Sequence, residues 1–216
     1  MSEGIEHALI ERLRAGALDL GLELDAAVLA RLVRFLRELE RWNRAYNLTA
    51  VRDPGEMVAR HVLDSLSVHR LVQGARVADA GSGAGLPGIP LALALPALRM
   101  TLMDAGSKKV RFLRHVASEL ALANVDVVHA RIEDYHPASG FDTVLARALA
   151  PLPRMLDLVA HLCRPGGRML AMQGRHHDEE LHGLPRGWTV EAVERLTVPQ
   201  LDAQRHVVVL RRDENG

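Results

Sequence analysis

The segment Arg76-Val77-Ala78-Asp79-Ala80 is apolar around one acid and runs directly into Gly81-Ser82-Gly83-Ala84-Gly85-Leu86-Pro87. An extended run that ends in a carboxylate and turns through closely spaced glycines into a helix is the opening unit of an α/β sheet that binds nucleotide-like ligands. A side chain at Gly81 or Gly83 would stand between the main chain and such a ligand. The remainder of the chain agrees with this fold. Strand-like residues 100–104, 125–129, 141–147 and 168–172 alternate with helical stretches, which predicts a parallel sheet covered on both faces. Residues 188–196 and 205–211 are expected to close its far edge as a pair of strands. Arg164-Pro165-Gly166-Gly167 reads as a helix stop before the fifth strand.

Gly83-Ala84-Gly85-Leu86-Pro87-Gly88 also satisfies the G-x-G-x-x-G dinucleotide fingerprint. In that reading a pyrophosphate rests on the N–H groups of a helix start, where the dipole favours negative charge. Here Pro87 and Pro90 fall at the expected start, and proline brings no N–H. Asp79, two residues before Gly81, instead offers an anion to something cationic. S-adenosylmethionine carries an ammonium and a sulfonium but no phosphate, and it suits this set better than a nicotinamide dinucleotide. Asp104 closes the next strand roughly twenty residues beyond the loop, the usual place for a ribose diol acceptor. Both cofactors have a ribose, so Asp104 does not choose between them. Ile132 and Glu133, after the third strand, are placed to hold an adenine. Each acid alone also reads as an ordinary strand-end or helix-start residue; three stations in order on successive strands read as a cofactor site.

Residues 1–70 are helical by pattern. Val28, Leu29, Leu32, Val33, Leu36 and Leu39 recur at three- and four-residue steps, which puts them on one helix face. A further helix begins with Asp53 as N-cap, Pro54 in the first turn and Glu56 three residues after the cap. It carries Arg60, His61, Asp64 and Ser65. Arg60 and His61 read either as an RNA-facing pair or, for Arg60, as an i,i+4 ion pair with Asp64. The expected organisation is therefore an N-terminal helical extension, residues 1–70, packed on a core of residues 71–216, together one compact unit.

The formal net charge is zero, so any nucleic-acid surface has to be a local patch. Arg34, Arg37, Arg41 and Arg44 form a stripe with Glu38 and Glu40 beside them, which reads as a solvated face, with an RNA face as the alternative. One cysteine excludes an intramolecular disulfide. The acidic N-terminus lacks an apolar signal core, and the longest apolar stretch is short and broken by prolines. A soluble cytoplasmic chain is expected, without membrane contact. No metal is expected either, because His176-His177-Asp178-Glu179-Glu180-Leu181-His182 lacks a defined ligand frame and reads as a solvated helix.

Five segments, Asn47-Leu48-Thr49-Ala50-Val51-Arg52-Asp53, Arg60-His61-Val62-Leu63-Asp64-Ser65-Leu66, Gly81-Ser82-Gly83-Ala84-Gly85-Leu86-Pro87-Gly88-Ile89-Pro90, Lys108-Lys109-Val110-Arg111-Phe112-Leu113 and Arg147-Ala148, carry a family resemblance. By them the chain resembles the RsmG (GidB) family. It implies a class I, Rossmann-like methyltransferase sheet and transfer of a methyl group from S-adenosylmethionine to N7 of one guanine, position 527 in the 530 loop of 16S rRNA. It also implies cofactor contacts at Gly81, Leu86, Ile132, Glu133 and Arg147, which join Asp79, Gly83 and Asp104 from the reading above. Asn47, Arg60 and His61 are the candidate substrate contacts. The expected partner is 16S rRNA within a small-subunit particle, and the expected state is a monomer. One departure is Gln173, where similar proteins usually carry lysine; Arg175 or His176 is the candidate stand-in.

Guanine N7 already has a lone pair in the ring plane, so no general base is expected. Consistently, Arg147-Ala148-Leu149-Ala150 stands where amine methylases usually carry an Asn/Asp-Pro-Pro-Tyr cluster, and Cys163 sits in what reads as a helix-end turn, not poised as a nucleophile. A nicotinamide-dependent reductase and a non-catalytic RNA-binding module are the competing readings.

Overall fold

The computed structural model describes residues 3–174, 181 and 183–214. Two long helices open the chain, α1 (Glu3–Asp19) and α2 (Ala26–Tyr46). Asp25 caps α2 by accepting the Val28 N–H at 2.7 Å, and Asn47 ends it in the left-handed region at φ 49°. The expected third start is in place: the Asp53 carboxylate accepts the Glu56 N–H at 2.9 Å and opens α3 (Pro54–Met57). The helix does not continue regularly. It widens into a π-helical turn over Val58–Leu63 before α4 (Asp64–Leu66), and the Asp64 N–H reaches back five residues to Ala59 O. Wide turns of this kind are frequent at functional sites.

Seven strands follow: β1 (Arg76–Ala80), β2 (Arg99–Asp104), β3 (Val125–His129), β4 (Phe141–Arg147), β5 (Cys163–Gln173), β6 (Trp188–Arg195) and β7 (His206–Arg212). They form one sheet in the order β3-β2-β1-β4-β5-β7-β6. The first five pair in parallel, and β7 runs antiparallel between β5 and β6. Connections from β1 lead to one side of the sheet and from β4 to the other, so the switch point lies between these two strands. Ligands of open α/β sheets bind outside the carboxyl ends at such a point.

Alternation along the strands divides the core in two. Val77, Leu102, Leu145, Leu170 and Val209 face α1, α2, the π turn, α5 (Gly88–Ala94) and α6 (Ser107–Glu119) in one buried cluster. Ala78, Met103, Val144, Met169 and Val208 face the other way, against Leu152, Met155, Leu156 and Val159 of α7 (Leu152–Val159). The N-terminal helices thus share a continuous core with α5 and α6.

One expected boundary is corrected. Arg164-Pro165-Gly166-Gly167 does not end a helix: α7 is already over at Val159, and β5 begins at Cys163. The pairing jumps from Phe141–Cys163 to Thr143–Arg168, so these four residues loop out of register within the strand. Gly166, at φ 68°, supplies the left-handed backbone this bulge needs. Cys163 is accordingly a buried strand residue, with its thiol pushed up to about 12 by burial.

Helix α5 packs closely on the sheet at Gly88, its first residue. A Cβ there would lie 2.2 Å from Leu102 Cδ2 and 2.8 Å from Asp79 Oδ2. Gly88→Ala is therefore expected to cost about 1–3 kcal/mol through overpacking. Urea unfolding measures it; an unchanged midpoint would mean that the approach is looser than these distances.

Candidate functional site

The carboxyl ends of β1, β2 and β4 bring most of the expected residues together. Asp79, near the end of β1, is 1% exposed and lies beneath the glycine loop, not at its rim. Its Oδ2 accepts the Gly88 N–H at 2.9 Å, while Oδ1 is buried without a partner. Burial raises its pKa to about 7; the Gly88 N–H and the Arg147 charge pull the other way and are outweighed.

The start of α5 has no N–H left for an anion. Pro87 and Pro90 have none, Gly88 gives its own to Asp79, and Ile89 gives its own to Gly85 O at 2.8 Å. Within the loop, the Gly85 and Leu86 N–H groups go to Ser82 O. A pyrophosphate would meet a spent helix start with a carboxylate underneath. The dinucleotide reading fails here on geometry.

The glycines differ in what they do. A Cβ on Gly85 would strike Ile89 Cδ1 at 2.3 Å, so this glycine serves packing. On Gly81 it would meet Leu149 Cδ1 at 2.8 Å, from the segment after β4. On Gly83, at φ 56°, the nearest atom is Gly81 O at 3.9 Å, so main chain faces open space there. That is the surface on which a ligand can lie close to backbone. Asp104 fixes this surface: Oδ2 accepts the Gly83 N–H at 3.0 Å, Oδ1 accepts the Gly106 N–H at 2.7 Å, and Lys109 Nζ stands 3.4 Å away. Ile132 is buried, and Glu133 is exposed beside it in a short 3₁₀ turn, Ile132–Asp134. His161 Nε2 lies within hydrogen-bond reach of Ile132 O and Tyr135 O at 3.0 and 3.1 Å and anchors that turn to the segment after α7. Leu86 is buried in the loop.

Next to the loop, a cavity of about 300 Å³ is lined by Arg60, His61, Asp64, Arg147, Gln173, Arg205 and their neighbours. The Asp64 carboxylate is buried in its wall and holds two arginines: Oδ2 accepts from Arg147 Nη1 at 2.8 Å and Oδ1 from Arg205 Nε at 2.7 Å. Of the two readings of Arg60, the ion pair with Asp64 is not formed. The π turn rotates Asp64 off the Arg60 face, and Arg60 instead lies 3.7 Å from Glu56. His61 is 4% exposed, with Nε2 at 2.9 Å from Thr49 Oγ1 and Nδ1 unpartnered. Burial lowers its pKa to about 4, with the Arg147 and Arg60 charges adding to the effect, so the ring is neutral at pH 7.

Asn47 does not join this cavity. It is an exposed helix C-cap whose Oδ1 accepts from Arg52 at 3.3 Å. The arginine stripe is ion-paired within the chain, Arg34 to Glu119, Arg37 to Glu6, Arg41 to Glu38 and Arg44 to Glu40. Sequence reasoning missed Arg205, which stands 141 residues from its partner with no local motif to mark it. It also missed Thr49 and Asn43, which build the turn against His61: Asn43 Oδ1 accepts the Thr49 N–H at 2.9 Å. The stand-ins considered for the missing lysine, Arg175 and His176, lie outside the described residues, as does most of the histidine-rich run. Arg205 and His206 line the cavity on the same side as Gln173.

The family model for rRNA small subunit methyltransferase G (GidB) matches residues 28–208. The chain belongs to this family. It is 48% identical over 204 residues to the ribosomal RNA small subunit methyltransferase G of Nitrosococcus oceani, covering 94% of this chain and 95% of that one. To the protein of the same name from Alkalilimnicola ehrlichii it is 51% identical over 200 residues, 93% and 91% of the two chains. Among solved structures, the magnesium protoporphyrin IX methyltransferase of Synechocystis, with bound S-adenosylmethionine, superposes with a TM-score of 0.59 at 19% identity, over 88% of this chain and 98% of that one. The N-methyltransferase NodS of Bradyrhizobium japonicum, in complex with S-adenosylhomocysteine, gives 0.56 at 16% identity over 82% and 98%. These two likenesses establish the class I methyltransferase fold. A member of the methyltransferase G family is an S-adenosylmethionine-dependent methyltransferase, and the phosphate-free loop fits that cofactor.

The raised pKa of Asp79 has a stability consequence with a definite sign. Its folded pKa, about 7, lies above its ordinary value of 3.8, so the folded state holds a proton that the unfolded state releases. Stability from this group falls as pH rises from about 4 to 7 and is level above. The melting temperature of Asp79→Asn relative to the parent protein is expected to climb across that window and then flatten. A difference independent of pH would place the carboxylate in a more polar setting.

Proposed function

We infer that this chain methylates N7 of a guanine in small-subunit rRNA, the guanine of the 530 loop that the family resemblance implies. The observation that carries the reading is the cavity beside the glycine loop: it is rich in arginine, and its buried titratable side chains are committed elsewhere. His61 is neutral, weakly basic and held by Thr49; Asp64 is spent on two guanidinium groups. His206 lies with Nδ1 3.2 Å from Gly174 O. Neither His61 nor Asp64 is poised to take a proton from an acceptor before attack, and guanine N7 needs no base. Methyl transfer is then governed by alignment of acceptor and donor.

S-adenosylmethionine supplies an electrophilic methyl on a sulfonium. Gly81 and Gly83 would give it a backbone floor, Asp104 would accept from its ribose hydroxyls on lone pairs left beside the Gly83 and Gly106 N–H groups, and Leu86, Ile132 and Glu133 would hold its adenine. Asp79, under the loop, and Arg147, at the end of β4, would complete the site. Arg60, His61 and Arg205 face the RNA; Asn47 contributes by shaping the turn that seats Thr49 against His61. The enzyme works as a monomer in the cytoplasm, on the assembled or assembling small-subunit particle. Two tryptophans, two tyrosines, three phenylalanines and zero net charge make a poor surface for gripping free single strands by stacking and field.

Methyl incorporation from labelled cofactor tests this directly. Small-subunit particles are expected to be good substrates and an isolated hairpin a poor one; equal rates on both would contradict the particle requirement. The single-turnover rate is expected to be nearly flat across neutral pH. A steep limb that disappears in His206→Asn or Asp64→Asn would mean that a base is used after all.

Asp104→Ala is expected to weaken cofactor binding by roughly 1.5–3 kcal/mol, the range for hydrogen bonds to a charged group. Calorimetric titration measures it, and unchanged affinity would send the ribose elsewhere.

A further inference from the structure

Asp64 joins two arginines that belong to different halves of the site. Its side chain is 3% exposed and engages one guanidinium with each oxygen, Arg147 at 2.8 Å and Arg205 at 2.7 Å, while these two are 24% and 23% exposed. Arg147 ends β4, beside the glycine loop, close enough for its charge to act on Asp79. Arg205 precedes β7 and lines both the 300 Å³ cavity and an adjoining groove of about 810 Å³ with Arg195 and Gln204. Arg205 Nη1 is further fixed to Gln204 O at 2.9 Å. Among the described residues, Nη2 of Arg147 and Nη2 of Arg205 make no hydrogen bond, so each held guanidinium keeps a donor for a ligand. A buried carboxylate that satisfies two cations from distant strands fixes both in one geometry and reduces their combined charge to a single positive unit.

We propose that Asp64 is a positioning residue that links cofactor binding to RNA binding. The proposal rests on the functional reading above and deepens it: Arg147 faces the cofactor, Arg205 faces RNA phosphate, and the shared carboxylate sets both. Each guanidinium keeps its Asp64 bond and is about a quarter exposed, so whichever ligand arrives first restricts the motion that the shared pair retains and lowers the ordering cost of the second. Linkage requires the effect to be reciprocal. Asp64 takes no part in moving the methyl group.

The test is a binding square. Affinity for small-subunit particles is measured with and without saturating S-adenosylhomocysteine, in the parent protein, in Asp64→Asn and in Arg205→Gln. The parent protein is expected to bind particles at least about fivefold more tightly with the nucleoside present, within the usual range for coupled sites. In Asp64→Asn the ratio falls below about twofold. Arg205→Gln leaves the Asp64–Arg147 pair in place and serves if Asp64→Asn does not fold: its affinity for S-adenosylhomocysteine stays within about twofold of the parent, while the ratio again collapses. A folding defect alone would lower individual affinities without removing their ratio. Parent protein that shows no linkage, or a folded variant of either kind that retains it, overturns the proposal. Methylation of particles by the parent protein is measured alongside; its absence overturns the rRNA reading and this proposal with it, whereas methylation without linkage overturns the proposal alone.

Discussion

A buried carboxylate under a glycine loop sets the character of this site. Asp79 takes the Gly88 N–H at the start of α5, the one N–H there that two prolines and the Ile89 turn bond leave over. It thereby closes the helix terminus to phosphate, which in related sheets is what the terminus binds. The same bond ties the start of α5 to β1, Gly88 packs closely on Leu102 of β2, and Gly83 presents bare backbone to open space. Asp104 fastens that backbone from the neighbouring strand. Two acids thus shape the loop from below and from the neighbouring strand, and the helix start they leave has no N–H for a phosphate. The cost is a carboxyl group held in a low-dielectric place with one oxygen unpartnered.

The acceptor side depends on a different device. A regular helix from Pro54 to Leu66 would put Asp64 on the same face as Arg60. The π turn shifts the phase and delivers the carboxylate to the end of β4 and the start of β7. The N-terminal helices are therefore part of the site's wall, with His61 and Asp64 as their contribution, and their core is continuous with that of the sheet.

How much of this was legible in the sequence follows from the range of each interaction. The glycine loop, the strand-end acids and the alternation of strands with helices are local patterns, and the sheet formed as they indicate, including the antiparallel pair at the far edge. The Asp53 cap is equally local and equally present. The pairing of Arg60 with Asp64 could be left only as an alternative, and it fails because an i,i+4 rule assumes 3.6 residues per turn and nothing in Val58-Ala59-Arg60-His61-Val62-Leu63 announces a wider one. Arg164-Pro165-Gly166-Gly167 has the composition of a helix stop, yet a bulge uses the same residues for the same backbone reason. Arg205 was invisible because its meaning lies wholly in a contact across 141 residues. Asn47 stands in a motif that marks the family, but its place in the structure is a helix cap.

The site as a whole asks little of acid–base chemistry and much of placement. Arg147 and Arg205 share one buried carboxylate and His61 is held neutral, an arrangement suited to an acceptor atom that is nucleophilic as it stands. The most direct test is chemical cleavage of the product RNA. Small-subunit particles are incubated with the protein and S-adenosylmethionine, and the extracted rRNA is treated with borohydride and aniline and mapped by primer extension. A single new stop that depends on the protein and on the cofactor is the expected result, since only an N7-methylated guanine opens under these conditions. Methyl incorporation into rRNA with no aniline-sensitive site would contradict the account and place the methyl on an atom that requires a base.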